Sequence, residues 1–207
     1  MLRRLFLFAL IVCLATPLLA QTPQGWRMRV DRSQSAEDPD DRPDLHVMTK
    51  GKGFQVTGGP AGTFWNPSQT ATGNYTAKAT FTLIKPSSHT NYYGLIFGGN
   101  ALEGAGQAYT YFLVAQNGNY ILRNRTGEKV TDVRGGTSHA AIKQPDQSGR
   151  SVNTVEVRVA GDTVSYVVNG AVVHTTPKSA VKTDGIVGVR VNHQLDVLVE
   201  GFEVQKS

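Results

Sequence analysis

The sequence predicts an all-β chain folded as a two-sheet antiparallel sandwich, and three observations carry that prediction. Residues 153–173 read NTVEVRVAGDTVSYVVNGAVV, in which Val155, Val157 and Val159 alternate with Thr154, Glu156 and Arg158. That period of two is what a strand with one buried face imposes. Gly161-Asp162 and Asn169-Gly170 interrupt the alternation, and both dipeptides accept the positive φ of tight hairpins, so the stretch reads as a three-stranded meander. Finally, nowhere does a run of ten or more residues show a helical period. About a dozen short strands punctuated by Gly, Asn and Asp turns argue for a sandwich.

Along the chain, residues 1–20 come first. Arg3 and Arg4 precede an apolar run, and Ala20 is small, the pattern of a secretory signal peptide rather than a membrane span. Cleavage is expected between Ala20 and Gln21, by ordinary secretion rather than the twin-arginine route that Arg3-Arg4 touches on. The expected location is periplasmic or extracellular. The only cysteine, Cys13, lies in this segment, so the mature chain is expected to have neither a disulfide nor a thiolate site and to rely on its core.

Residues 21–52 are polar and turn-rich, with Trp26, Met28 and Val30 suggesting a first edge strand or a packing anchor. At their centre Asp38, Asp40, Asp41 and Asp44 put four carboxylates within seven residues. These could hold calcium, but the spacing matches no calcium loop and no glycine supplies the sharp turn. A solvated, proline-stiffened loop is the preferred reading. Residues 53–207 form the expected single sandwich domain. Strands are expected at 54–57 and 63–65 about the Gly58-Gly59-Pro60 turn, then at 74–84, where Tyr75, Ala77, Ala79, Phe81 and Leu83 share one face. Further strands are expected at 92–97, 109–115 and 120–125. Residues 135–150 read as less regular, and strands 186–191 and 195–204 follow the meander.

The run NTVEVR at 153–158, the hairpin VVNGAVV at 167–173 and GIVGVR at 185–190, followed by a strand with Phe202 and Val204, resemble the C-terminal half of concanavalin A-like (laminin G-like) jelly-roll domains. In particular they are similar to the bacterial exported domains of 3-keto-disaccharide hydrolase type. The resemblance spans about three quarters of the chain and implies a jelly-roll fold and a sugar ligand. Its motifs are glycine-dependent and structural.

Composition and spacing restrict the chemistry. The formal charge of +5 includes Arg3 and Arg4, the remaining basic residues are scattered, and no basic run interleaves with aromatics, so nucleic acid is not an expected partner. Glycoside hydrolysis by the usual route needs two facing carboxyl groups, yet Glu103 is the only acid between Asp44 and Glu128. The five histidines, His46, His89, His139, His174 and His193, have no metal-ligand spacing, and no G-x-S-x-G elbow is present. Catalytic and metal-binding residues are therefore not assigned.

Recognition is better supported. Sugars stack on aromatic faces and hydrogen-bond to planar polar groups, which the strands carrying Asn91, Tyr92, Tyr93, Tyr109, Tyr111, Tyr120, Arg123 and Arg125 offer. The expected ligand-binding residues are Asn91, Tyr92, Tyr111, Arg123 and Arg125, with Trp65 and His89 beside them. The expectation is an exported, non-catalytic module that binds carbohydrate or a glycosylated surface ligand, with no membrane span once the signal is removed. A 3-keto-disaccharide hydrolase is the alternative implied by resemblance, and a structural or protein-interaction domain of the cell envelope is the third reading.

Overall fold

The computed structural model describes residues 22–35 and 37–206, so the signal peptide expected at residues 1–20 lies outside the described residues. In chain order the strands are β1 (Arg27–Asp31), β2 (His46–Lys50), β3 (Gly53–Gly58), β4 (Ala61–Ala71), β5 (Tyr75–Lys85), β6 (Tyr92–Asn100) and β7 (Ala108–Ala115). They continue as β8 (Asn119–Thr126), β9 (Lys129–Ser138), β10 (Ser151–Ala160), β11 (Thr163–Val168), β12 (Ala171–Pro177), β13 (Gly185–Val191) and β14 (Leu195–Lys206). Among the described residues only two single-turn 3-10 segments, Pro39–Asp41 and Lys178–Ala180, interrupt them. No helix among the described residues is long and apolar enough to cross a membrane.

The strands form two seven-stranded antiparallel sheets, β1-β4-β13-β6-β7-β8-β9 and β12-β11-β10-β5-β14-β3-β2. The meander at 153–173 is β10-β11-β12 at one edge of the second sheet. Asn169 takes φ 50° and Gly170 φ 84°, the left-handed pair that a two-residue hairpin requires. Gly58-Gly59-Pro60 does not close a hairpin. It carries the chain from the second sheet into the first, because β3 pairs with β2 and β14 whereas β4 pairs with β1 and β13.

Alternation places one continuous apolar core between the sheets. On β5, Tyr75, Ala77, Ala79, Phe81 and Leu83 are buried and the residues between them are not. They meet Tyr93, Leu95, Phe97, Phe112 and Val114 of the first sheet, with Phe81 and Tyr93 ring centroids 5.6 Å apart. Each fully buried side chain of this size contributes roughly 1.5–3 kcal/mol.

Two segments differ from the sequence expectation. Strand β9 runs through Gly135 and Gly136, inside the stretch read as irregular. It is almost wholly exposed, so no burial rhythm marks it, and it exists by pairing with β8. At the N-terminus Trp26 is an anchor and β1 an edge strand: the Trp26 ring packs 5.1 Å from Phe54 and 5.0 Å from Phe202.

Candidate functional site

The outer face of the first sheet is where the chemistry gathers. Strand register lines up Trp65, Gly188, Ile96, Tyr111, Arg123 and Asp132 in one row across β4, β13, β6, β7, β8 and β9. The adjacent row runs Arg29, Thr63, Arg190, Gly94, Leu113 and Ile121. Trp65, Ile96, Tyr109, Tyr111, Leu113 and Ile121 form a second apolar cluster here, topped by Leu102 from the β6–β7 loop. A methyl group at Gly188 would come within 2.3 Å of the Phe64 carbonyl oxygen and 3.0 Å of the Trp65 Cβ, so glycine is what lets β13 approach β4 this closely.

Into this apolar floor the fold inserts a charged network. Arg190 is only 9% exposed. Its Nη1 donates to Asp31 Oδ2 at 2.5 Å, Thr63 Oγ1 at 2.9 Å and the Tyr109 hydroxyl at 3.1 Å, and its Nε donates to Asn192 Oδ1 at 3.0 Å. Asp31 also accepts from Arg125 Nη1 at 2.9 Å and Arg29 Nε at 3.1 Å. With its carboxamide oxygen turned toward them, buried Gln107 accepts from Arg125 and Arg29 at 3.0–3.2 Å. Burial alone pushes the Asp31 carboxyl up, but Arg190, Arg125 and Arg29 outweigh it and hold the group below the usual carboxylate range. Asp31 is therefore a fixed anion at neutral pH. Burial likewise opposes the Arg190 charge, and Tyr109, Asp31 and Tyr111 more than restore it.

The network reaches solvent at Arg123, beside Tyr111, which is only 6% exposed and belongs to the floor. The Arg190 guanidinium carbon lies 5.9 Å from the Tyr111 ring centroid, within cation–π range. Arg123 is the direct cross-strand neighbour of Tyr111, and its Nε donates to Asp132 Oδ1 at 2.5 Å. Burial raises the Tyr111 hydroxyl pKa although Arg190 and Arg123 pull it down. The Arg123 side chain is 36% exposed, more than those of Arg29, Arg125 and Arg190.

This two-sheet arrangement is shared with sugar-recognising and sugar-cleaving proteins. A carbohydrate-binding module of Bacillus subtilis, CBM66, superposes with TM-score 0.61 at 10% identity over 87% of this chain and 95% of that one. The fold is a two-sheet jelly-roll sandwich. The carbohydrate recognition domain of Emp46p (TM-score 0.58, 12% identity, 87% and 88% of the two chains) has a similar fold. So has a Bacteroides ovatus GH16 protein solved with a glucan product (0.56, 8%, 86% and 94%). No protein-family model and no curated protein sequence matches the chain. At such identities the likeness is one of fold.

The jelly roll places five of the seven sequence-predicted site residues on this face: Trp65, Tyr92, Tyr111, Arg123 and Arg125. They differ in reach. Trp65 is 1% exposed and serves as floor, and the Arg125 side chain is 14% exposed, held between Asp31 and Gln107. Tyr92 is half-buried at the edge of the patch. Asn91 and His89 sit instead in the loop before β6. There Asn91 Nδ2 lies 3.1 Å from Ser87 Oγ and 3.0 Å from His89 Nε2, which is 3.4 Å from Asp40 Oδ2. Tyr93 and Tyr120 point the other way, into the core between the sheets, because alternation puts them opposite Tyr92 and Ile121.

Sequence reasoning missed Arg190, Asp31, Arg29 and Gln107. Arg190 had a signal, since it shares its face with Ile186 and Gly188 against Val187, Val189 and Val191. Asp31 had none, because β1 joins the sheet through β4, thirty or more positions along the chain. The acidic segment scatters its carboxylates. Asp38 Oδ1 caps the Asp40 amide, Asp41 Oδ2 accepts from the Ser33 amide, and Asp44 pairs with Arg32. Among the described residues no three His, Cys, Asp or Glu side chains gather around one ion position.

Proposed function

We propose that this chain binds carbohydrate, without chemical turnover, on the outer face of its β1-β4-β13-β6-β7-β8-β9 sheet, around Tyr111, Arg123 and Tyr92. The single observation that carries the reading is the character of that face. It offers aromatic surface and guanidinium donors, and its one buried carboxylate, Asp31, is locked as an anion by three arginines. A general acid must hold a proton near its working pH, and Asp31 does not. Sugars need flat apolar faces for ring C–H groups and fixed polar groups for their oxygens, which half-buried Tyr92 and the more exposed Arg123 offer, with Tyr111 beneath them. The CBM66 and Emp46p likenesses, in which the same fold serves recognition, add support at the level of the fold.

The test is a glycan array probed with the purified chain, followed by calorimetry on the best ligand and an assay for released reducing ends. Binding without product release is expected. Arg123→Ala should weaken it about tenfold or more, the usual cost of removing a charged hydrogen-bond donor from an interface. Binding by Arg123→Ala equal to that of the parent would sink this placement of the site. Product release from a glycoside would favour the hydrolase alternative. We also propose export through residues 1–20, for which N-terminal sequencing of the mature protein should begin at Gln21.

A further inference from the structure

We infer that a pocket beside Trp26, separate from the outer face of the first sheet, holds a single neutral sugar ring. Its volume is about 260 Å³, and it lies between the N-terminal turn, β4, the β2–β3 turn and β14. Two irregular strands build it. Along β14, Leu195, Val197 and Val199 are buried, and strict alternation would turn Phe202 outward. Register against β5 shifts between Glu200 and Glu203, where Gly201 takes φ 59°, and such a bulge re-aims the side chains that follow it. Phe202 therefore packs on the core side, edge-on to Trp26 with ring centroids 5.0 Å apart. On β4, Trp65 faces Gly188 and Thr70 faces Ile186, so residues 66–69 swing out of register and Gln69 lines the pocket.

The aromatic wall is held in place by its own turn. The Trp26 amide donates to Pro23 O at 2.9 Å, and Thr22 Oγ1 donates to Trp26 O at 3.0 Å. Trp26 and Phe202 are each half-buried, which leaves part of both rings for the C–H side of a sugar. Lys52, Gln69 and Glu200 stand around them. Gly53 makes room for the last: a methyl group there would meet Glu200 Cγ at 3.1 Å and the Val199 carbonyl oxygen at 2.0 Å. Neither Lys52 nor Glu200 has an ion pair among the described residues. An ammonium only donates, a carboxylate only accepts and an amide does both, so the rim offers both kinds of partner that sugar hydroxyls use. One cation and one anion offset each other, so neither an acid nor an amine gains from the charge of the rim. The volume falls below the roughly 300–1,000 Å³ of pockets for drug-sized ligands, which suits one ring rather than an oligosaccharide.

The experiment is a nuclear magnetic resonance titration of the isotope-labelled mature chain with methyl glucoside, methyl galactoside, glucuronic acid and glucosamine. The chain has two tryptophans, hence two indole N–H signals, and Trp26→Phe tells them apart. A neutral glycoside should shift the Trp26 signal saturably, with a midpoint near about 1 mM, the affinity scale of a ligand of about a dozen heavy atoms. The Trp65 signal should stay in place. Gln69→Ala and Glu200→Ala should each weaken binding about three- to tenfold, with thermal midpoints close to the parent's as the check on folding. A Trp26 signal unmoved by either neutral glycoside at about a hundred times that concentration overturns the pocket, as does parental affinity in both variants. Movement of the Trp65 signal alone assigns the sugar to the outer face instead and leaves the carbohydrate reading standing. Tighter binding of glucuronic acid or glucosamine than of the neutral glycosides overturns the neutral class. A saturable Trp26 shift together with an empty glycan array keeps this pocket and removes the outer-face site.

Discussion

Asp31 is the residue on which the candidate site turns. Its carboxylate receives Arg190, Arg125 and Arg29, and removing one member of a buried ion network leaves the others uncompensated. Asp31→Asn is therefore expected to destabilise the fold by about 3–5 kcal/mol, measured by urea unfolding at neutral pH. The pH dependence follows from the direction of its shift. Its folded pKa lies below the unfolded value near 3.9, so the unfolded chain binds the proton more readily. Stability from this group is then fully present above about pH 4–5 and is lost as pH falls through the folded value. In Asp31→Asn that part of the acid sensitivity should vanish. Equal acid-induced losses in parent and variant would show that the network does not hold Asp31 as described. The sequence shows Asp31 only as an acid at the end of a short strand; its three partners come from β1 itself, β8 and β13.

Strands and turns were more legible, to the extent that burial wrote a rhythm into them. The β10-β11-β12 meander has that rhythm and two turn dipeptides, and it forms as read. Its tip also holds more than a turn. The Asn169 side chain accepts from the Thr154 amide at 2.9 Å and donates to Ala141 O and Asn153 Oδ1, each at 2.8 Å. Asn153 in turn exchanges two bonds with the Lys143 backbone, at 2.9 and 3.0 Å. This is how the irregular stretch after β9 is fixed to the sheet. Asn169→Ala should cost about 1–3 kcal/mol, combining lost bonds with positive φ. Asn169→Gly keeps the backbone geometry, and its thermal midpoint should fall between those of the parent and the alanine variant. If both variants melt with the parent, the side-chain bonds contribute nothing. Strand β9 shows the opposite case, an exposed edge with no apolar period, which only its partner β8 defines.

At the scale of the molecule, one apolar layer joins the two sheets, with Phe112 of β7 packing 5.1 Å from Tyr166 of β11. Because both sheets share that interior, urea unfolding is expected as a single transition followed identically by fluorescence and circular dichroism. Phe112→Ala, which opens a cavity across the layer, should lower stability by about 3–5 kcal/mol. Two separable transitions would mean that the sheets fold independently. The outer face of the first sheet is a product of the same scale. Its floor comes from β4, β6, β7, β8 and β13, its anion from β1, and part of its cover from the β6–β7 loop, where Arg27 pairs with Glu103.

Period-two alternation and turn chemistry are local, encoded within a few residues. The sequence by itself therefore determined an all-β chain, most strand positions, and a jelly-roll sandwich with Tyr111 and Arg123 on neighbouring strands. It also showed that β6 and β7 carry no acid. Which strands lie side by side is not local, because pairing joins residues many positions apart through backbone bonds that leave no mark on composition. Tertiary structure alone decided that Asp31 would cross the chain to meet Arg125 and Arg190. It turned Tyr93 and Tyr120 inward, and sent Asn91 and His89 to a separate loop.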